Sequence, residues 1–253
     1  MGRASARPYS TVAVGERHRL PPSALENYDQ AFRDFEPYAA LLGAEVDIDE
    51  VGTILDVGGG NGAFVDRLLA KYPAAQAWLV DDAPQMIARN VPHDRKQTMC
   101  ASVFDLELRL PEPRFDLITV NVLLHHLVDD SPMETRERVV ECLALLRDRL
   151  QTGGVMAIYE QFYDSFVPGI DPGELIFGIT RLRAAAPLLR ALGFATAGIG
   201  VAFRSRRGWL ELFAEAGLRV SVEQTLHLDR LRLSRLGLGA YPIGAHLWLL
   251  RPA

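Results

Sequence analysis

Residues 53–64 have the sequence TILDVGGGNGAF, in which an apolar run breaks into glycines and then resumes at helical spacing. The pattern predicts a buried parallel strand, a glycine turn and a helix that ends at Lys71. Gly58, Gly60 and Gly62 allow a sharp turn and leave bare backbone against which a ligand can lie. The start of the helix should add unpaired N–H groups. The stretch therefore predicts a ligand-binding turn rather than a plain connection.

Acidic residues stand at the ends of two predicted strands. Asp56 lies inside the end of the first strand, where its carboxylate would sit close to a ligand. Residues 77–81 form a second apolar run that ends in Asp81, with Asp82 next in the chain. A carboxylate in the position of Asp81 could accept hydrogen bonds from both hydroxyls of a ribose. Together with the glycine turn, these acids indicate a nucleoside-binding unit.

The glycine spacing also fits a dinucleotide-binding site. Gly58, Gly60 and Ala63 satisfy the fingerprint G-x-G-x-x-G/A, so NAD is an alternative ligand. The carboxylate of Asp56 disfavours NAD, because it would repel a pyrophosphate.

These residues resemble two motifs of the class I S-adenosylmethionine-dependent methyltransferases. The stretch Asp56–Gly62 is similar to their glycine-rich first motif, and Val80–Met86 is similar to their acidic second motif. The likeness covers residues 50–160 well and the C-terminal part more loosely. It implies that S-adenosyl-L-methionine is the cofactor, with Asp56 and the glycine turn at its methionine part and Asp81 at its ribose.

The end of the chain supports the same family. A helix over residues 209–218 and strands over 219–225 and 245–250 resemble the antiparallel hairpin that distinguishes methyltransferases from NAD-binding domains. The resemblance implies an α/β, Rossmann-like fold. Its seven-stranded sheet would carry helices on both faces and an antiparallel last strand.

Length and composition favour a single domain over residues 1–253. A chain of 253 residues with 49% hydrophobic residues can bury one large core. Apolar spacing predicts an N-terminal helix over residues 23–43, within a cap formed by residues 1–45. Residues 164–204 form an apolar insert that we expect to act as a lid or, alternatively, as a homodimer contact. The N-terminal helix could simply pack against the sheet or, with the tail before it, close over the cofactor. In the second case four residues could touch a ligand: Tyr9, Arg17, His18 and Tyr28.

Charge, hydropathy and cysteine content argue against a nucleic-acid partner, a membrane span and a metal site. A formal charge of −5 and the lack of a basic stripe argue against nucleic acid. The apolar run over residues 184–203 contains Pro187 and Arg190, which disfavours a membrane span, and no secretory signal stands at the start. We expect a cytoplasmic protein with no metal site and with reduced, buried thiols at Cys100 and Cys142.

Ser102, Val103 and Phe104 follow a predicted strand over residues 97–101. In the family, the position of Ser102 often holds an acid that accepts a hydrogen bond from the adenine amino group. A serine hydroxyl could still accept that bond, while Val103 and Phe104 could offer backbone N–H groups and a ring face. The alternative is a surface turn.

The strand over residues 115–120 ends at Asn121, near the expected reaction centre. Asn121 is not followed by the Pro-Pro-Tyr or Pro-Pro-Phe of nucleic-acid amino methyltransferases, so their chemistry is not transferred. His125 and His126 are adjacent and should point in different directions, and one of them could be a general base. Alternatively, a histidine packs under the cofactor or caps a turn.

The next elements are a helix and a fifth strand. Ser131, Pro132 and Glu134 predict a capped helix start, and Gly153-Gly154 predict the helix end. After a strand over residues 155–159, the side chains of Glu160 and Tyr163 should emerge into the cleft. Glu160 could orient a substrate or cap a loop.

Three functions remain open. The first is methyl transfer to a small molecule, for example in secondary metabolism. The second is attack at the methionine Cγ with release of methylthioadenosine. An acceptor that attacks there would receive an aminocarboxypropyl group, and the cofactor's own amine would close a four-membered ring amino acid. Residues around Asp56, Asn121, Glu160 and Tyr163 could decide this outcome. The third is a non-catalytic cofactor-binding protein. For the turn itself, we expect Gly60→Val to abolish cofactor binding and Gly59→Ala to matter less.

Overall fold

The computed structural model describes residues 34–47, 49–110, 114–164, 172–182, 186–187, 198, 200–232 and 240–253. Within these residues, seven strands form one sheet with the order β3-β2-β1-β4-β5-β7-β6. The strands are β1 (Thr53–Val57), β2 (Gln76–Asp81), β3 (Lys96–Cys100), β4 (Phe115–Asn121), β5 (Leu150–Tyr163), β6 (Leu218–Arg232) and β7 (Ala240–Pro252). The α-helices of the described residues are α1 (Phe35–Glu45), α2 (Ala63–Lys71), α3 (Pro84–Ile87), α4 (Leu106–Arg109), α5 (Pro132–Arg147), α6 (Pro172–Thr180) and α7 (Arg206–Glu215).

Strand directions confirm the predicted fold class. β1 pairs in parallel with β2 and β4, β2 pairs with β3, and β4 pairs with β5. β7 lies antiparallel between β5 and β6. The carboxyl ends of the parallel strands therefore share one edge of the sheet, which is where ligands bind in open α/β sheets. Both strands of the C-terminal hairpin are longer than predicted.

Helices bury both faces of the sheet. On one face, Trp209 and Phe213 of α7 are fully buried, and the Phe213 ring lies 5.4 Å from the Trp248 ring of β7. On the other face, Tyr38 of α1 meets Phe64 of α2 edge to face at 5.1 Å. Burial on both faces accounts for the nearly continuous apolar sequence of the central strands.

The first helix confirms part of the predicted cap. Residues 23–33 lie outside the described residues, and the helix continues past Gly43 to Glu45. The Tyr159 hydroxyl donates to Asp34 Oδ2 at 2.5 Å, which ties the start of α1 to β5. The four cap residues expected to touch a ligand also lie outside the described residues: Tyr9, Arg17, His18 and Tyr28.

Helix α5 begins as predicted but ends earlier. The Ser131 hydroxyl accepts a hydrogen bond from the Glu134 N–H at 3.1 Å, which caps the helix start. The helix ends at Arg147, and the chain enters β5 at Leu150. The prediction that Gly153-Gly154 end the helix is therefore wrong.

Those glycines serve the sheet instead. They lie in β5 beside a register shift between Phe115 and Leu117 of β4. A Cβ on Gly154 would lie 2.9 Å from the Phe115 carbonyl oxygen, so close approach of two strands requires this glycine.

The insert is described in part. Its helix α6 and the return segment 200–204 are described, and Arg204 forms a parallel β-bridge with Phe162 of β5. Helix α7 starts at Arg206, before the predicted residue 209, because the Ser205 hydroxyl caps it by accepting from the Gly208 N–H at 3.1 Å. The cap over residues 1–45 and the lid over 164–204 stay predictions.

Membrane spans and thiols give two further results. In the part of the chain that the structure describes, no helix is both long and apolar enough to cross a bilayer. Burial raises the pKa of the Cys142 thiol to about 12. Cys100 is exposed, so the prediction of a buried thiol is wrong there, because Cys100 ends the edge strand β3.

Candidate cofactor and acceptor site

The glycine turn has the backbone that its sequence predicts. Gly58, Gly60 and Gly62 have φ angles of 70°, 56° and 81°, a region that side chains disfavour. The Gly58 N–H donates to the Val80 carbonyl at 2.7 Å, so the turn is tied to the end of β2. The turn is thus a rigid, bare-backbone cradle at the carboxyl ends of β1 and β2.

The start of α2 differs from the prediction. The Ala63 N–H donates to Asn61 Oδ1 at 3.1 Å, so this N–H group is not available to a ligand. The helix starts from Gly62 in a left-handed conformation. A ligand at the turn would therefore depend on the shape of the backbone and on nearby carboxylates more than on the first N–H of α2.

Sequence reasoning missed Asn90, which supports the turn from outside. Its Nδ2 donates to the Gly60 carbonyl at 2.9 Å and to the Met86 carbonyl at 3.2 Å. Nothing in the local sequence identifies this role, since Asn90 follows α3 and meets Gly60 only through the fold.

Asp81 also holds the turn. Its Oδ2 accepts a hydrogen bond from the Gly60 N–H at 2.9 Å, and its Oδ1 accepts one from the Ala83 N–H at 2.8 Å. Burial raises the pKa of Asp81, although these two hydrogen bonds act in the opposite direction. Each carboxylate oxygen keeps a second lone pair, so hydroxyl donors could still be accepted. Asp82 is exposed.

Asp56 lies underneath the turn. It is 1% exposed, and its Oδ1 accepts from the Thr119 hydroxyl at 2.8 Å. Its Oδ2 is buried and has no hydrogen-bond partner among the described residues. Burial raises the pKa of Asp56 to about 7. An orphaned carboxylate oxygen beside a glycine cradle fits a ligand that carries positive charge, as the sulfonium and ammonium groups of S-adenosylmethionine do.

The segment after β3 forms a short turn. The Ser102 hydroxyl accepts from the Phe104 N–H at 3.3 Å, so part of its accepting capacity is used locally. Val103 is buried, and the Arg138 guanidinium lies 4.4 Å from the centre of the Phe104 ring. The predicted contact of these three residues with adenine stays a prediction.

The end of β4 is strained. Val122 has a φ angle of 53°, and no other described residue except glycine has a positive φ. Such a conformation is a genuine outlier for a β-branched residue and occurs mainly at functional sites. The preceding Asn121 has a buried Oδ1 with no hydrogen-bond partner among the described residues.

His125 and Glu160 form a buried pair beyond this strained residue. His125 Nδ1 lies 2.7 Å from Glu160 Oε2, and the Leu124 N–H donates to Glu160 Oε1 at 2.6 Å. His125 is 3% exposed and Glu160 is fully buried. Glu160 lies inside β5, so the prediction that it emerges beyond the strand end is wrong. The strand runs on to Tyr163 because it pairs with β7 along its whole last half.

The two histidines do not diverge as predicted. Their ring centroids are 4.1 Å apart, because they share one turn of 3₁₀-helix at Leu124–His126. Burial lowers the pKa of His126 well below its ordinary value, and the neighbouring His125 adds to this effect.

Sequence reasoning missed one ring beside the histidines. We call the region of His125, His126, Glu160, Tyr163 and Phe203 the acceptor side. Phe203 stacks on His125 with ring centroids 4.7 Å apart and an interplanar angle of 25°. Tyr163 lies against the same ring at 4.5 Å, and burial raises the pKa of its phenol. No signal in the sequence singles out Phe203, which stands near the end of the insert.

One leucine joins the two halves of the site. A Cβ on Gly58 would lie 3.0 Å from both methyl groups of Leu123, so this side chain packs directly on the glycine turn. Leu123 precedes His125 by two residues. The glycine turn therefore lies next to the segment that carries His125. Among the described residues, no group of three or more His, Cys, Asp or Glu side chains could hold a metal ion.

Known proteins share this architecture. A family model described as methyltransferase domain matches residues 27–222. The trans-aconitate 2-methyltransferase of Mycobacterium tuberculosis is 23% identical over 198 residues, which are 77% of this chain and 67% of that protein. The flavonoid 4'-O-methyltransferase 4 of Mentha piperita is 24% identical over 177 residues, 70% of this chain and 45% of that protein.

A solved structure agrees with the fold. A methyltransferase dependent on S-adenosylmethionine from Leishmania major has a TM-score of 0.61 and 16% identity, and the match covers 92% of this chain and 79% of that one. Since the family model matches more than half of the chain and the seven-stranded sheet ends in the expected antiparallel hairpin, the chain belongs to the methyltransferase domain family and takes S-adenosylmethionine as its cofactor.

Proposed function

We propose that this protein transfers a methyl group from S-adenosylmethionine to a hydroxyl group of a small molecule, with His125 as the general base. The observation that carries the proposal is the buried His125–Glu160 pair, in which His125 follows the carboxyl end of β4 and Glu160 lies inside β5. A buried carboxylate hydrogen-bonded to a histidine is a recurring way to orient a base.

The hydrogen bond sets the tautomer of the base. A carboxylate only accepts hydrogen bonds, so His125 donates Nδ1–H to Glu160, and its neutral form carries a lone pair on Nε2. Among the described residues, this ring forms its hydrogen bond through Nδ1, which leaves Nε2 to take a proton. An acceptor hydroxyl held at Nε2 would lose its proton as its oxygen attacks.

Chain residues near the turn would hold the cofactor. Asp81 would accept from the ribose hydroxyls, and the glycine turn with Asp56 would hold the methionine part. The segment Ser102–Phe104 would line the adenine. When bound, the cofactor supplies a methyl group already activated by a sulfonium, so placing the two reactants in contact is the main task of the protein.

Two observations support a small acceptor. The formal charge of −5 does not suit a polyanionic partner such as nucleic acid. Both similar enzymes described above are named for small-molecule acceptors, trans-aconitate and a flavonoid.

The test combines product analysis with matched histidine variants. The full-length protein is incubated with S-adenosylmethionine and a panel of small hydroxyl compounds, and the nucleoside product is identified. S-adenosylhomocysteine together with a methylated acceptor is the expected result. Methylthioadenosine, or no methylated acceptor, would contradict the proposal.

His125→Gln should lower kcat by about 10²–10⁴ while the affinity for S-adenosylhomocysteine stays within twofold. His93→Gln is the control, because His93 is exposed. Full activity of a folded His125→Gln protein would exclude His125 as the base.

A further inference from the structure

Four rings lie in series on the acceptor side of the site. The ring centroids of His126 and His125 are 4.1 Å apart, those of His125 and Phe203 are 4.7 Å apart, and those of Phe203 and Tyr163 are 4.5 Å apart. The last two pairs are close to parallel, with interplanar angles of 25° and 32°. We call these four residues the ring column.

Backbone hydrogen bonds on both sides of Phe203 hold the column. The Ala202 N–H donates to the His125 carbonyl at 2.9 Å, and the Tyr163 N–H donates to the Arg204 carbonyl at 3.0 Å. Phe203 therefore has little freedom to move away from the histidine that it covers. A ring fixed in this way before binding loses little entropy when a ligand packs on it.

The column restricts how an acceptor reaches His125. Phe203 covers a face of the imidazole, and the His126 ring lies close by, so an acceptor must approach Nε2 in the plane of the ring. Phe203 and Tyr163 are both partly exposed and lie next to this position, so their ring edges could contact an acceptor there. Ring edges carry partial positive charge and pack well on the face of another aromatic ring.

We infer that the acceptor is a planar aromatic hydroxyl compound, selected by the ring edges of Phe203 and Tyr163. This inference rests on the proposed function, since it concerns the same site. It adds a substrate class and gives a selecting role to Phe203, a residue of the insert. A saturated alcohol of the same size would lack the π face that these edges favour.

The test measures binding without chemistry. The full-length protein is saturated with S-adenosylhomocysteine, which has no methyl group to transfer, and is titrated by calorimetry with 2-naphthol or with decahydro-2-naphthol. The two probes share one skeleton and one hydroxyl, and only the first is aromatic. The wild-type protein should bind 2-naphthol at least tenfold more tightly.

Phe203→Leu should weaken 2-naphthol binding about three- to tenfold and leave decahydro-2-naphthol within twofold. Phe177→Leu is the matched control, because Phe177 is buried in α6 with Val128 and Ala202 and tests only the packing of the insert. Equal affinity of the wild-type protein for both probes would overturn the inference. So would equal losses for both probes in Phe203→Leu, or the same selective loss in Phe177→Leu.

Failure of the proposed function can be distinguished from failure of this inference. Selective binding of 2-naphthol by a protein that methylates no hydroxyl compound would support the aromatic site and contradict only the transfer reaction.

Discussion

The partners that hold the glycine turn lie nearer to it in the sequence than the partners that build the acceptor side lie to one another. Gly60 meets Asp81 and Asn90, which are 21 and 30 residues away. His125 meets Glu160 at a separation of 35 residues and Phe203 at a separation of 78 residues. Most contacts of the turn use backbone atoms, while the acceptor side depends on buried side chains.

This difference determines how each region should fail. At the turn, the backbone conformation shapes the ligand site, so added side-chain atoms should reduce cofactor affinity or stability. On the acceptor side, removal of one polar group leaves its buried partners without hydrogen bonds, which costs free energy of folding as well as activity.

The largest effect is expected on the acceptor side. Glu160→Leu removes the acceptor of the Leu124 N–H and of His125 Nδ1, and should lower the free energy of unfolding by about 3–5 kcal/mol. Urea unfolding measures this loss. Glu160→Gln keeps one acceptor oxygen and should lose less. If Glu160→Leu is as stable as the wild-type protein, the pair does not hold the acceptor side together.

The second prediction concerns a carboxylate of the cofactor side. Burial raises the pKa of Asp56 from 3.8 to about 7, so between these values the folded protein holds a proton that the unfolded chain releases. The Asp56 contribution to the free energy of unfolding should therefore fall as the pH rises from about 4 to about 7, by up to ~1.4 kcal/mol per pH unit and ~4 kcal/mol in all.

Asp56→Asn removes this titration and keeps an acceptor for the Thr119 hydroxyl. Subtracting the unfolding free energies of wild-type and variant proteins at each pH isolates the effect of Asp56. Parallel profiles across this range would show that Asp56 does not keep its proton near neutral pH.

The third prediction compares two glycines of the turn and revises the expectation from the sequence. A Cβ on Gly59 would lie 2.5 Å from Asp56 Oδ2 and 2.6 Å from Leu79 Cγ, both in the buried interior. Gly59→Ala should therefore lower the free energy of unfolding by about 1–3 kcal/mol, because the interior is overpacked. Position 59 should therefore tolerate a side chain poorly, contrary to the expectation from the sequence.

Gly60→Val should act on binding instead. Its Cβ would lie 3.2 Å from Met86 Cε, which is the end of a flexible side chain, but the φ angle of 56° is unfavourable for valine. We expect a folded protein with cofactor affinity reduced by more than about a hundredfold, since strain moves the cradle. Calorimetric titration measures cofactor affinity and thermal unfolding measures stability, so the two effects are separated in both variants. A Gly59→Ala protein as stable as the wild type would show that the interior beneath the turn can rearrange to accommodate a methyl group.

The smallest effect is expected at the ribose position. Asp81→Ala removes a charge-assisted acceptor of about 1.5–3 kcal/mol, so cofactor affinity should fall about tenfold to a hundredfold. Asp82→Ala is the control, because Asp82 is the exposed neighbour. Equal cofactor affinities of the wild-type and Asp81→Ala proteins would show that Asp81 does not bind the cofactor. Because Asp81 also accepts from the Gly60 N–H, part of the loss should come from a loosened turn.

The sequence by itself determined the features that depend on local structure. A glycine pattern predicts positive φ angles, an apolar run predicts a buried strand, and Ser131 predicts a helix start, because each depends on a few neighbouring residues. The family resemblance then supplied the seven-stranded sheet with its antiparallel last strand, and the cofactor. Asp56 and Asp81 were identified for the same reason, since their positions at strand ends follow from the strands themselves.

Only the tertiary structure decided how the acceptor side is built. Glu160 is buried because β7 pairs beside it, Phe203 meets His125 because the insert returns along β5, and Asn90 reaches Gly60 across the fold. Gly154 allows close approach of two strands rather than ending a helix for the same reason. Each of these contacts joins residues far apart in the chain, so hydrogen bonding and close packing between elements, and not local preference, select them.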